Sequence, residues 1–145
     1  MARAYRLGAV RRVAKLFSAS SLRAGIGPGN AYLLTTRGRR TGKRRTTPVQ
    51  LIERDGVRYL VAPYGTVGWV HNARAAGEVT LRRGRRSSLH TVEEVAGAEA
   101  GPVLRQYARQ VPITRPYFDA AKDAPVAEFE AEASRHPVFR LGPAR

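Results

Sequence analysis

The stretch Leu33 to Val49, LLTTRGRRTGKRRTTPV, decides how the rest of this chain is read. An apolar run stops at a glycine-punctuated basic loop and then resumes. Six of the nine residues from Arg37 to Arg45 are basic, with Gly38 and Gly42 set among them. The flanks, Ala31 to Thr36 and Thr47 to Ile52, are rich in β-branched and large apolar residues and read as two strands that hold the loop at both ends. Glycine lets backbone approach a ligand, and guanidinium forks with the Thr41, Thr46 and Thr47 hydroxyls can hydrogen-bond phosphate or carboxylate oxygens. So much like charge in a short span repels itself unless an anion sits in it. The stretch therefore reads as an anion cradle.

Three other readings compete for the same residues. A phosphate-binding loop of the nucleotidase kind is rejected: three residues, not four, separate Gly38 from Gly42, and Arg44, not Ser or Thr, follows Lys43. Arg37-Gly38-Arg39-Arg40 could enter a nucleic-acid minor groove. The plainest alternative is a solvated hairpin turn with surplus charge.

Composition narrows the choice. A length of 145 residues suits one domain, 1–145, with a single core. There is no cysteine, hence no disulfide or thiolate chemistry, and the scattered His71, His90 and His136 lack metal-ligand spacing, so no metal site is expected. A net charge of +15 and a pI near 11.5 call for an anionic partner, whether nucleic acid, membrane surface or polyanionic small molecule. The N-terminus lacks the features of a signal peptide, and no run of about eighteen apolar residues occurs, which makes the cytoplasm the default location.

Within residues 1–20, positions 4–18 read as a basic amphipathic helix, with Leu7, Val10, Val13, Ala14 and Phe17 on one face. Two readings of it stand: packing on the domain, or peripheral contact with an anionic bilayer. Glycine-rich Ser18 to Asn30 connects it to the first strand. Thr47 to Arg54 and Val57 to Ala62 form a hairpin turning at Asp55-Gly56. Pro63 to Gly68 is too rich in Gly and Pro to continue the strand, and leads to Trp69 and a short helical turn around His71 to Ala76. Trp69 beside such a loop could form a flat wall for a planar ring, or simply be core. Glu78 to Arg82 and Arg85 to Val95 make a second hairpin around Arg83-Gly84. An amphipathic helix over 98–110, short helical segments from Arg115 and over Val126 to Arg135, and a last strand Pro137 to Leu141 complete the chain. The pattern predicts an α+β, mainly β, architecture: a small antiparallel barrel with peripheral helices.

The order of motifs resembles the deazaflavin-dependent nitroreductase family of split β-barrel oxidoreductases. Gly38-Arg39-Arg40-Thr41-Gly42 with Arg45 and Thr47-Pro48 matches its GRxSG-x-x-R-x-TP loop, and Trp69-Val70-His71-Asn72 its W-x-x-N box. The likeness runs from about Ala31 to Leu141. Thr41 replaces the usual Ser but keeps the hydroxyl, and the Ala62 to Trp69 segment is shorter than in many relatives.

This resemblance implies a split barrel that binds the deazaflavin coenzyme F-420, which carries a phosphate and an oligoglutamate tail. It implies hydride transfer between that coenzyme and a small quinone- or nitroaromatic-like acceptor. Arg39, Arg40, Thr41, Arg45, Thr46 and Thr47, with Pro48 closing the motif, would hold phosphate and tail. Pro63, Tyr64, Gly65, Trp69, His71 and Asn72 would line the ring or support its loop, and Arg74 would add an anion contact. Tyr117, with Phe118, would form an aromatic lid over the acceptor, or else both would pack their segment on the barrel. The cofactor would carry the redox chemistry, so no acid/base pair is expected to be indispensable. The rivals are the same barrel using FMN and a nucleic-acid-binding barrel. The latter is disfavoured because the aromatics do not alternate with arginines along a strand face.

Overall fold

The computed structural model describes Leu22, Arg23, Gly25 and residues 29–145. The helix expected over 4–18 lies outside the described residues. Six strands close into an antiparallel barrel in the order β1-β2-β3-β6-β5-β4, with β4 returning to β1. In chain order they are β1 (Ala31–Arg37), β2 (Arg44–Arg54), β3 (Val57–Val61), β4 (Glu78–Arg83), β5 (Arg86–Glu94) and β6 (Val138–Ala144). Helix α1 (Gly68–Ala76) links β3 to β4. Helix α2 (Gly97–Gln110), a 3-10 segment (Pro112–Tyr117), α3 (Val126–Ala131) and a short 3-10 turn (Ala133–Arg135) link β5 to β6.

Period-two alternation sorts the apolar residues onto two sides of the sheet. Leu51, Leu60, Phe139 and Leu141 join Leu34, Val49, Val79 and Leu81 in one cluster, with Val70 and Ala73 of α1. Their sequence neighbours Ile52, Tyr59, Val61 and Val138 face the other way and meet Val103, Leu104, Tyr107 and Ala108 of α2 and Phe129 of α3. Helix α2 is further pinned by Glu99, which accepts from the Tyr59 hydroxyl of β3 (2.8 Å) and from Arg140 of β6 (2.8 Å). The Tyr59 hydrogen bond and the Arg140 guanidinium hold the Glu99 carboxyl below its ordinary range.

The Asp55-Gly56 hairpin forms as read, both residues taking positive φ (52° and 77°). The main departure is at β2, which starts at Arg44 rather than Thr47. Arg44 and Arg45 pair with Arg37 and Thr36, so the ladder runs on beneath the basic residues and leaves only positions 38–43 as loop. Exposed strand ends tolerate these charges, which apolar patterning alone does not register. The second hairpin turns at Gly84-Arg85, and β6 extends past Leu141 because His90 of β5 pairs with Ala144. Helix α1 begins at Gly68, which puts Trp69 in its first turn rather than in the preceding loop.

Candidate active site

The cradle is a tight, internally bonded loop. Gly38 N donates to the Lys43 carbonyl (2.7 Å), Gly42 N to the Gly38 carbonyl (2.9 Å), and Lys43 N to Thr41 Oγ1 (3.2 Å). Gly42 takes φ of 72°, which a side chain would oppose. At the loop's base the Thr35 and Thr46 hydroxyls are 3.0 Å apart across the strand pair.

The second motif holds the first. Asn72, on α1 and only 4% exposed, accepts from both Arg39 N and Arg39 Nη1 at 3.2 Å, and its Nδ2 donates to Thr36 Oγ1 at 3.2 Å. A single buried amide thus fixes the backbone of the cradle and aims one of its guanidiniums. Trp69, one turn earlier, packs on Phe139 with centroids 5.9 Å apart and also borders the cavity beside the cradle. It is therefore both core and cavity wall.

That cavity measures about 730 Å³. One side is polar: Gly38, Arg39, Arg40, Thr41, Arg44, Arg45, Thr46, Thr47, Pro48 and Gln50. The other is largely apolar and aromatic: Val49, Val61, Pro63, Tyr64, Val67, Gly68, Trp69, Tyr107, Val111, Ile113 and Thr114, with Asn72 between the two. No carboxylate, imidazole or thiol lines it among the described residues. Nor does any of the four lining arginines make an ion pair with a described carboxylate. A polyanion with a planar apolar head matches this division, with its charge on the guanidinium side and its ring between Pro63, Tyr64 and Trp69.

Some expected residues sit elsewhere. Arg74 is off the cavity, its guanidinium gripped by Glu94 in a two-pronged pair (2.7 and 2.8 Å). That hydrogen bond raises its pKa above the ordinary arginine value. His71 is exposed on the far side of α1, since a residue two positions from Trp69 on a helix cannot share its face. Gly65 (φ 92°) shapes the loop behind the wall rather than lining it. Tyr117 is 7% exposed and stands behind Tyr64, edge to face at 4.8 Å, while Phe118 packs on Phe129 and against the His136 ring. Among the described residues, then, Tyr117 buttresses a cavity wall.

The sequence reading missed Arg44 and the wall supplied by the end of α2 and the 3-10 segment: Tyr107, Val111, Ile113 and Thr114. Arg44 carried a signal, being adjacent to Arg45 on a strand end. The others look like an ordinary helical stripe and its stop, and only the tertiary fold brings them beside Tyr64.

A small antiparallel barrel with a basic cradle and an aromatic wall defines a split-barrel oxidoreductase that takes an anionic, ring-bearing cofactor. The sequence model of the F420H(2)-dependent quinone reductase family matches residues 10–124, and the chain belongs to that family. It is accordingly a reductase dependent on deazaflavin coenzyme F-420. Among solved structures it is similar to an F420-H2 dependent reductase (FDR-A), 25% identical with a TM-score of 0.54, over 78% of this chain and 94% of that one. A NimC/NimA family protein from Clostridium acetobutylicum (12% identical, TM-score 0.55, 93% and 83% covered) shares the fold. So does a pyridoxamine 5'-phosphate oxidase-like protein from Listeria innocua (9% identical, TM-score 0.53, 79% and 83% covered).

No described helix is long and apolar enough to cross a membrane, and no group of three metal-ligating side chains occurs among the described residues.

Proposed function

We propose that the chain binds F-420 with its phosphate and oligoglutamate tail on Arg39, Arg40, Thr41, Arg44, Arg45, Thr46 and Thr47, and its ring along Pro63, Tyr64 and Trp69, and that a quinone-like acceptor enters the same cavity. The observation that carries this reading is the four-arginine face, unpaired with any described carboxylate and continuous with an aromatic wall. When bound, the coenzyme supplies the hydride; the chain's residues supply placement, charge balance and exclusion of water. The arginines neutralise the tail, and Asn72 keeps Arg39 and the Gly38 turn in position without ordering on binding. Tyr64, backed by Tyr117, gives the ring a rigid neighbour. Nitroaromatic acceptors would use the same wall.

Titration of the purified protein with F-420, FMN and a short duplex at two salt concentrations tests this. The reading expects F-420 to bind most tightly, with its advantage over FMN shrinking as salt rises, because the tail contacts are screened. Micromolar FMN binding with no detectable F-420 binding would overturn it, and dominant duplex binding would favour a nucleic-acid role.

A further inference from the structure

Tyr107 has a phenol that the fold does not use. The residue sits near the end of α2 at 5% exposure and borders the cavity. Its hydroxyl makes no hydrogen bond with a described residue. Among the described residues, Arg105 Nε is the one fully enclosed side-chain nitrogen or oxygen without a partner. The Tyr107 oxygen, without a partner among the described residues, is not among those enclosed atoms, and the cavity is the space that this residue borders. A buried polar group left unsatisfied is costly unless a ligand or water completes it.

Two other polar groups lining the cavity, Thr114 on the same wall and Gln50 on the polar side, are already engaged. Thr114 Oγ1 donates to the Val111 carbonyl at 2.7 Å, and Gln50 Nε2 donates to Asn30 Oδ1 at 3.2 Å. Burial, with the Tyr64 phenol adding to it, pushes the Tyr107 phenol well above its ordinary range. It is a neutral donor at any working pH, held on a helix that Glu99 ties to two strands.

We propose that Tyr107 donates a hydrogen bond to the carbonyl oxygen of the acceptor and makes the cavity selective for quinone-like molecules over hydride acceptors that have no oxygen to offer. The inference rests on the functional reading above. A quinone that gains a hydride, two electrons with one proton, becomes a hydroquinone anion, and a solvent proton completes the hydroquinone while the coenzyme loses the same two electrons. Negative charge grows on the oxygen that the phenol meets, so the bond strengthens as the reaction proceeds. A site built around such a donor rejects analogues that leave it unpaired.

Tyr107→Phe tests this with little risk to the fold, since it removes one oxygen that bonds to nothing described. The expected result is an unchanged or slightly higher melting temperature and an unchanged F-420 dissociation constant. The kcat/KM for a naphthoquinone should fall by roughly tenfold to a hundredfold, and that for a phenazinium dye should stay the same. In protein loaded with oxidised coenzyme, where no turnover occurs, the infrared carbonyl band of bound ¹³C-labelled naphthoquinone should lie lower in the natural chain than in the variant. Equal quinone kinetics in both proteins, or parallel losses with both acceptors, would overturn the assignment. A weakened F-420 constant would also overturn it, by giving the phenol to the coenzyme. Failure of the unaltered protein to bind F-420 would instead strike the functional reading itself.

Discussion

Replacing Asn72 with aspartate separates the two things that this residue does, bracing the cradle and leaving it positively charged. Aspartate keeps an oxygen where Arg39 N and Arg39 Nη1 now donate at 3.2 Å, and the Thr36 hydroxyl can turn to donate in place of the lost Nδ2 contact. The fold should therefore lose little, and the bond to Arg39 becomes charge-assisted. The new carboxylate, however, stands one guanidinium away from any anion that Arg39 holds. At a separation of about 7 Å and an effective dielectric of about 20, the repulsion is about 2 kcal/mol, or roughly thirtyfold in affinity. Alanine at the same position acts in the opposite order. It strips three hydrogen bonds from a site only 4% exposed and costs about 2–4 kcal/mol of stability, with a drop in melting temperature of several degrees. Calorimetric titration with F-420, paired with thermal melts of both variants, reads these effects. An Asn72→Asp protein that binds F-420 as tightly as the natural chain would refute the claim that Arg39 and its neighbours hold the anionic end.

Four further expectations follow from particular contacts. Arg45→Ala should weaken F-420 binding by about 1.5–3 kcal/mol with no change in melting temperature, because the side chain is exposed and lines the cavity; an unchanged constant would make the loop solvated charge. Arg74→Ala should leave the constant untouched and cost under about 1 kcal/mol of stability, as befits an exposed pair with Glu94; a marked loss of affinity would restore Arg74 to the site. Tyr117→Ala should lower stability by about 3 kcal/mol and slow acceptor turnover through the loosened Tyr64 wall, whereas turnover loss without destabilisation would indicate direct contact with the acceptor. Glu99, held below its ordinary value of 4.5 by Tyr59 and Arg140, contributes stability above about pH 4.5 that fades as pH falls through its lowered folded value; acid melts of Glu99→Gln should show a shallower loss over that range than the natural chain.

The chain's periodicities carried the barrel further than they carried the site. Strand alternation in Thr47 to Ile52 and Val57 to Ala62, with Asp55-Gly56 between, locates a hairpin because its register is local. The place of the basic loop beside a cavity was legible because charge density at Arg37 to Arg45 has few physical explanations. What escaped was non-local. That Asn72 braces Arg39 depends on α1 lying across β1, a packing fact with no trace in the spacing of the two motifs. Arg74 and His71 look as available as Asn72 in the linear chain. Helical geometry and the Glu94 partner then carry them away from the cavity. The Tyr107 to Thr114 wall reads as a routine apolar stripe ended by Pro112, and only the folding of α2 against β3 shows that one edge of that stripe faces a cavity. Tyr117, read as a lid, follows a proline in a segment whose direction is set by burial of Phe118 on Phe129, which turns it behind Tyr64.

The central claim is that one cavity joins a basic anion cradle to an aromatic wall so that F-420 and an acceptor meet there. The most direct test is an anaerobic single turnover: protein loaded with one equivalent of reduced F-420 is mixed with a naphthoquinone, and the absorbance of oxidised coenzyme is followed. The account predicts stoichiometric oxidation of the coenzyme with matching hydroquinone formation, slowed in parallel by Arg45→Ala at subsaturating coenzyme and abolished by nothing outside the cavity. Reduced coenzyme that binds tightly yet persists unoxidised in the presence of the quinone would contradict it.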